Sequence, residues 1–114
     1  MEVKVGNDIV YIPKFQKSFQ RYPKKFRRDI FCESELKNQD TQHLAGIFSA
    51  KEAVVKALDL KASKWKLIEI LNFDTGKPFV KLHKKISSHN IESSDISISH
   101  HGDYVTAVAV FLIK

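Results

Sequence analysis

The feature that most constrains this chain is its longest apolar run, Val105 to Ile113, rich in β-branched residues and broken only by Thr106. A helix that crosses a bilayer needs about 20 such residues, so the run reads as a strand buried in a protein core. Just before it, Ile96-Ser97-Ile98-Ser99-His100 alternates apolar with polar residues, as a strand with one covered face does. His101-Gly102-Asp103 between them is a turn, which predicts a hairpin. A second hairpin is expected upstream. Trp65 to Phe73 forms one strand with Ile68 and Ile70 on a common face, Asp74 to Pro78 the turn, and Phe79 to His83 the return. The polar stretch Ser87 to Asp95 reads as a loop.

The other half is helical after one opening strand. Glu2 to Val10 begins with period-2 alternation, and Gly6-Asn7-Asp8 interrupts its apolar pattern near the end. Pro13 suits a first helical turn. From there to Tyr22, Phe15 and Phe19 stand at an i, i+4 spacing, with Lys14, Lys17 and Arg21 on other sides. Pro23 ends or kinks that helix, and Lys24 to Arg28 adds another helical turn. Cys32-Glu33-Ser34-Glu35 reads as a helix start with Glu at the third position and cysteine where Ser or Thr caps better. The main helix is expected from Thr41 to Leu58, with Leu44, Ile47, Phe48, Val54, Val55 and Leu58 along one side. One strand, a helical block and four strands make an α+β chain, mostly antiparallel. With 114 residues and 43% hydrophobic content, residues 1–114 form a single domain.

Composition bounds the function loosely. Nineteen Lys and Arg (Lys+Arg 19) against 13 Asp and Glu leave a net charge of +6. That surplus suits nucleic acid, an anionic membrane, or phosphate-bearing and acidic partners. The single cysteine, Cys32, excludes an internal disulfide and a cysteine-based zinc cage, and reads as a reduced structural thiol. No signal-peptide core is recognisable at the start. A cytoplasmic protein that does not enter membranes is expected.

Four places could carry chemistry. Asp8 lies beside Ile9, Val10 and Ile12. It is either a turn former or a carboxylate in apolar surroundings, which is costly without a cation. In Phe48-Ser49-Ala50-Lys51-Glu52-Ala53-Val54-Val55-Lys56-Ala57, Glu52 and Lys56 are either an ordinary i, i+4 surface pair or part of a site. Ala50, Ala53 and Ala57 on the same helix point to something packed closely against it. Thr75-Gly76-Lys77-Pro78 is a hairpin turn that can also offer backbone N–H groups and an ammonium to a phosphate. Adjacent His100 and His101 point to opposite faces of a strand and chelate poorly. His43, His83 and His89 show no ligand spacing with them, so zinc is not expected.

Taken together, these motifs resemble those of the holo-acyl-carrier-protein synthases. Val5-Gly6-Asn7-Asp8-Ile9-Val10-Tyr11-Ile12 is similar to the family's N-terminal signature. Phe48 to Ala57 is similar to its second signature. Trp65, Ile68-Glu69-Ile70, Gly76-Lys77-Pro78 and Ile96 to His100 follow in the family's order, over essentially the whole chain. The resemblance implies a sheet packed on a long central helix, a homotrimer with its active site between subunits, and transfer of 4′-phosphopantetheine from coenzyme A to a serine of apo-acyl carrier protein. Adenosine 3′,5′-bisphosphate is the other product, and the setting is fatty acid biosynthesis.

The resemblance also implies residue roles. Asp8 and Glu52 hold Mg²⁺, and Lys56 contacts the pyrophosphate. Gly76, Lys77 and Pro78 lie by the adenine nucleotide, and Ser99 and His100 near the 3′-phosphate. Either Glu52 or a metal-bound water is the general base. Lys14, Lys17, Arg21, Lys24, Lys25 and Arg28 dock an acidic carrier protein. Three positions depart from the family pattern. Asn7 replaces an aliphatic residue, Ile47 stands where arginine is frequent, and Asp59 to Lys64 lacks a glycine-rich stretch. The competing expectation is a small basic nucleic-acid-binding module, supported by the charge and the Phe-rich basic segment but by no recognised RNA-binding signature.

Overall fold

A computed structural model describes residues 1–83, 86 and 90–114. Strand β1 (Glu2–Tyr11) leads into helix α1 (Ile12–Arg21) and the short helix α2 (Pro23–Asp29). A 3-10 turn (Glu33–Leu36) precedes the long helix α3 (Thr41–Leu58), and a second 3-10 segment (Ala62–Leu67) follows it. Strands β2 (Ile68–Asn72), β3 (Pro78–Leu82), β4 (Ile91–His101) and β5 (Tyr104–Ile113) complete the chain. The apolar β5 is central in a three-stranded antiparallel sheet of order β1-β5-β4, and β2 pairs with β3 in a second, antiparallel sheet. The α+β reading, the central helix and both hairpins are as the sequence indicates.

Three boundaries differ. Gly6-Asn7-Asp8 does not break β1, because Gly6, Asn7 and Asp8 pair in register with Ala109, Val108 and Ala107. The period-2 alternation therefore runs through them. It turns Gly6, Asp8 and Val10 inward, while Ile9 faces outward at 62% exposure rather than walling Asp8. Trp65 to Leu67 is 3-10 rather than strand, its backbone bent so that the Trp65 carbonyl meets the Lys51 ammonium at 3.2 Å. Residues 91–95 extend β4 instead of forming a loop, with a register irregularity between Ile91 and Ser93. Strand pairing with the apolar β5 outweighs the polar composition of this stretch. Residues 87–89, the start of the expected loop and the site of His89, lie outside the described residues.

Helix α3 begins at an Asp40 cap, whose carboxylate accepts the His43 N–H at 3.2 Å. It ends at Asp59, held in the left-handed conformation (φ 54) that glycine usually supplies at this position. The aspartate thus closes the helix in place of the missing glycine. Along the inner face of α3, Ala50, Ala53 and Val54 are fully buried. The small residues serve the close approach of β1. A Cβ added at Gly6 would lie 1.9 Å from the Ala53 carbonyl oxygen. Gly6→Ala is therefore expected to push β1 off α3, lowering stability by about 2 to 3 kcal/mol as overpacking does. Chemical denaturation against the wild type measures it.

Phe15 packs edge to face on Phe26 (5.6 Å) and Phe31 (6.3 Å), and Phe26 stacks on Phe31, between α1, α2 and α3. Beneath this cluster lies a fully buried ion pair, Lys51 to Glu35 at 2.6 Å. Glu35 also accepts the backbone N–H of Cys32 (2.7 Å) and of Ile70 (2.8 Å). Lys51 donates further to the Ile30 carbonyl at 2.6 Å. One buried pair thus ties α3 to the end of α2, the 3-10 turn and β2. Cys32 lies half-buried beside it, and burial pushes its thiol pKa up, as an inert structural thiol requires.

Candidate active site

Strand β1 and helix α3 deliver the acidic residues. Asp8 is two residues beyond Gly6 on the same inward face, where β1 lies closest to α3. Ser49 on α3 donates to the Asp8 carbonyl at 3.2 Å, fixing the strand against the helix one turn before Glu52. Lys56 on the next turn of α3 reaches back, donating to the Asp8 carboxylate at 3.1 Å and the Asn7 carbonyl at 3.1 Å. Asp8, distant in sequence from Glu52 and Lys56, thus joins them in one cluster. Lys56 is largely exposed, whereas the Asp8 side chain is 13% exposed.

The carboxylates strain against one another. Burial raises the Glu52 pKa, and the Asp8 charge raises it further. The Trp65 indole and Lys56 offset part of that rise. A half-buried carboxylate whose charge is disfavoured by a neighbouring one is an arrangement that takes a cation. Trp65 carries the other unusual atom. Its indole N–H is buried and near Glu52 but completes no hydrogen bond, the one such side-chain atom among the described residues. An acceptor that shifts toward it, as a ligating carboxylate can, would satisfy it. Among the described residues no three His, Cys, Asp or Glu side chains converge on one point. The donor set therefore suits a hard ion completed by phosphate and water rather than a closed transition-metal cage.

Because the folded-state pKa of Glu52 is raised, the metal-free protein gains stability from it below the ordinary glutamate pKa and loses that gain as pH rises through the raised value. Glu52→Gln is thus expected to raise the melting temperature of the metal-free protein at neutral pH. Divalent-cation affinity in the wild type should fall with acidification already above the usual carboxylate range. Thermal melts and calorimetric titrations across pH check both.

A groove of about 490 Å³ opens along the first half of α3. Gly46, Ile47, Ile70 and Val105 floor it, and Gly76, Pro78 and His100 stand on its wall. The expected turn and strand-end residues Gly76, Pro78 and His100 are therefore gathered in one place. Lys77 is not: its ammonium pairs with Asp95 at 2.9 Å and donates to the Ile96 carbonyl at 3.3 Å, against β4. Ser99 points away from the groove on the alternation of β4, and its carbonyl accepts from Thr106 at 3.5 Å. Ile47, where arginine was the family expectation, is buried as part of the floor.

Lys14, Lys17, Arg21, Lys24, Lys25 and Arg28 are all exposed, as a docking face requires. Arg28 spends its charge on Asp29 at 2.9 Å, while Arg21 lies over the Tyr22 ring at 5.3 Å. Sequence reasoning missed Trp65 as a neighbour of Glu52, because the second 3-10 segment that brings it there reads as strand. It also missed the Glu35–Lys51 pair, whose two residues look like ordinary surface charges.

The comparisons with known proteins give the chain a family. Residues 4–109 match the family model described as the 4′-phosphopantetheinyl transferase superfamily. A holo-[acyl-carrier-protein] synthase of Fusobacterium nucleatum is 37% identical, over 98% of this chain and 100% of its own. That of Protochlamydia amoebophila is 38% identical over 97% and 98%. Among solved structures, the Helicobacter pylori holo-[acyl-carrier-protein] synthase in complex with coenzyme A superposes with a TM-score of 0.84 at 32% identity, covering 95% of this chain and 99% of that one. The Neisseria meningitidis enzyme gives 0.85 at 26%, covering 96% and 97%. The chain belongs to the 4′-phosphopantetheinyl transferase superfamily.

Proposed function

We propose that this protein is a holo-acyl-carrier-protein synthase that uses coenzyme A and Mg²⁺ to load apo-acyl carrier protein with 4′-phosphopantetheine. The full-length likeness to synthases, one of them solved with coenzyme A, supports it. The single observation in the chain that carries it is the cluster of Asp8, Glu52 and Lys56 across β1 and α3. Asp8 and Glu52 would hold the metal, which when bound would supply charge neutralisation at the pyrophosphate. Lys56 presents its ammonium to the same pyrophosphate from its position against Asp8. The serine hydroxyl of the carrier attacks the phosphorus next to the pantetheine. The bond to the bridging oxygen breaks, and adenosine 3′,5′-bisphosphate leaves with the electron pair. Such a step depends on position and electrostatics more than on covalent catalysis by the protein. The serine proton passes to Glu52 or to a water held at the site.

In this reading the groove beside His100, Gly76 and Pro78 takes the adenine nucleotide, and Ile47 replaces a charged contact by an apolar floor. Lys77 must leave Asp95 to reach a phosphate. Ser99, facing away, is dropped from the nucleotide contacts. The exposed bases of α1 and α2 steer the acidic carrier to the site. The nucleic-acid reading loses its aromatic support, since Phe15 and Phe26 are core residues rather than a stacking platform. No described helix is long and apolar enough to cross a membrane, and a free thiol at Cys32 suits the cytoplasm.

The assembly we propose is a homotrimer formed through the outer face of the three-stranded sheet. Val3, Val5 and Ile9 are 67%, 63% and 62% exposed there, beside Val108 and Val110 of β5. That is an apolar stripe of the kind a second copy covers. Val5→Asp should leave the monomer folded but shift light-scattering mass from trimer to monomer, with loss of transfer. A wild type that is monomeric at assay concentration contradicts the assembly. The function itself is tested by incubating the protein with coenzyme A, Mg²⁺ and an apo-carrier. The carrier gains the pantetheinyl mass if the reading holds, and stays unmodified if it does not.

A further inference from the structure

Trp65 is the single tryptophan of the chain, and it is fixed to the helix segment that carries Glu52. Its carbonyl accepts the Lys51 ammonium at 3.2 Å. Its ring packs 6.2 Å from that of Phe48, one helical turn before Glu52. Neither contact uses the indole N–H, which is buried without completing a hydrogen bond, alone in this among the buried side-chain nitrogens and oxygens of the described residues. Packing against Phe48 would be served equally by a phenylalanine. The nearby acceptor is the half-buried Glu52 carboxylate, close enough for hydrogen bonding from the indole to lower its pKa, yet the pair falls short of full hydrogen-bond geometry. A carboxylate that ligates a metal through one oxygen commonly takes a hydrogen bond from an outer group on the other.

We propose that Trp65 is a positioning residue for the reaction: its indole N–H is the outer hydrogen-bond donor that orients the Glu52 carboxylate when a divalent cation is held between Glu52 and Asp8. This rests on the reading of Glu52 as a metal ligand. The orphaned donor then has its partner in the loaded site, and the orientation of Glu52 is fixed by a rigid ring instead of a freely rotating side chain.

The test uses the full-length protein labelled with nitrogen-15, whose single indole N–H gives one cross-peak. Magnesium chloride is titrated in with coenzyme A present. In the wild type the peak is expected to move toward the hydrogen-bonded range and its exchange with water to slow. In Glu52→Gln, magnesium should leave the peak in place. Trp65→Phe, which keeps ring packing and removes only the donor, should melt near the wild-type temperature yet bind magnesium about tenfold or more weakly by calorimetry. If Trp65→Phe does not fold, the indole signal of the wild type decides alone. A stationary indole peak in a wild type that binds magnesium through Glu52, or wild-type magnesium affinity in a folded Trp65→Phe, overturns the role of Trp65 and leaves the metal site standing. Magnesium affinity unchanged in Glu52→Gln, or no magnesium binding by the wild type, overturns the metal reading and the proposal with it.

Discussion

Asp8→Asn and Glu52→Gln are each expected to abolish pantetheinyl transfer, by roughly a thousandfold or more, the scale at which loss of a preorganised electrostatic group is felt. Both keep the shape of the side chain. Neither belongs to the buried core: Asp8 touches Lys56 and Glu52 is half-buried. The fold should therefore persist, and far-ultraviolet circular dichroism should match the wild type. The two variants should differ in the metal-free state. Asp8→Asn frees Lys56 from its 3.1 Å partner and removes a like charge near Glu52, so the Glu52 pKa falls back toward its ordinary value. Glu52→Gln removes the strained carboxylate itself and should melt higher at neutral pH. Stability and activity then move in opposite directions in one variant, which is the signature of a functional rather than a structural carboxylate. Transfer at wild-type rates in both variants would remove the metal assignment.

Lys51→Met is expected to be the most damaging single change to the fold. Both Lys51 and Glu35 are completely buried, and the pair is 2.6 Å apart. Removing the lysine leaves a carboxylate in the core with two backbone N–H partners and no counter-charge. Breaking such a pair costs about 3 to 5 kcal/mol. That is a large fraction of the roughly 5 to 15 kcal/mol that holds a typical domain together. The double variant Lys51→Met with Glu35→Gln should recover most of the loss, because the uncompensated charge is gone. Equilibrium denaturation of the single and double variants separates the two terms. A single variant as stable as the wild type would mean that the pair is not closed in solution.

The two charged neighbours on α3, Lys51 and Glu52, show where sequence reading stops. Lys51 and Glu52 are adjacent, both charged, and flanked by Ala50 and Ala53. One is fully buried in a structural ion pair and the other lies half-buried facing Asp8. Helical periodicity separates their directions by about a third of a turn. It does not say which direction is core, because the partner of Lys51 comes from a 3-10 turn that local pattern cannot place. The strand pattern was more informative. Period-2 alternation assigns β4 and β5 as a hairpin, and the small residues of α3 signal the close approach that Gly6 and Ala53 make. Gly6-Asn7-Asp8 misled because these residue types favour turns, whereas ten paired positions with β5 keep the strand extended. The same pairing made strand of residues 91–95. Asp8 and Glu52 were legible as a pair only through the motif resemblance. Their meeting depends on how β1 crosses α3, a tertiary fact that composition and spacing do not contain.

Lys77 carries a similar lesson about charge. A lysine in a Gly-Lys-Pro turn reads as a free ammonium, yet here it is drawn to Asp95 on the neighbouring strand. The pair is solvent-exposed and worth little in stability, so opening it costs little. The 19 lysines and arginines behind the net charge of +6 thus include exposed bases on α1 and α2, Lys56 at the acidic cluster, Lys77 against β4, and the buried structural Lys51.

One measurement bears most directly on the proposed chemistry. An apo-carrier protein is incubated with this protein and coenzyme A, once with magnesium and once with a chelator, and the intact carrier masses are compared. The expected result is a single pantetheinyl adduct with magnesium, absent with the chelator, absent with Glu52→Gln, and absent when the acceptor serine is replaced by alanine. An adduct that forms equally well with chelator or with Glu52→Gln, or no adduct from a folded wild type, would contradict metal-dependent transfer at Asp8 and Glu52.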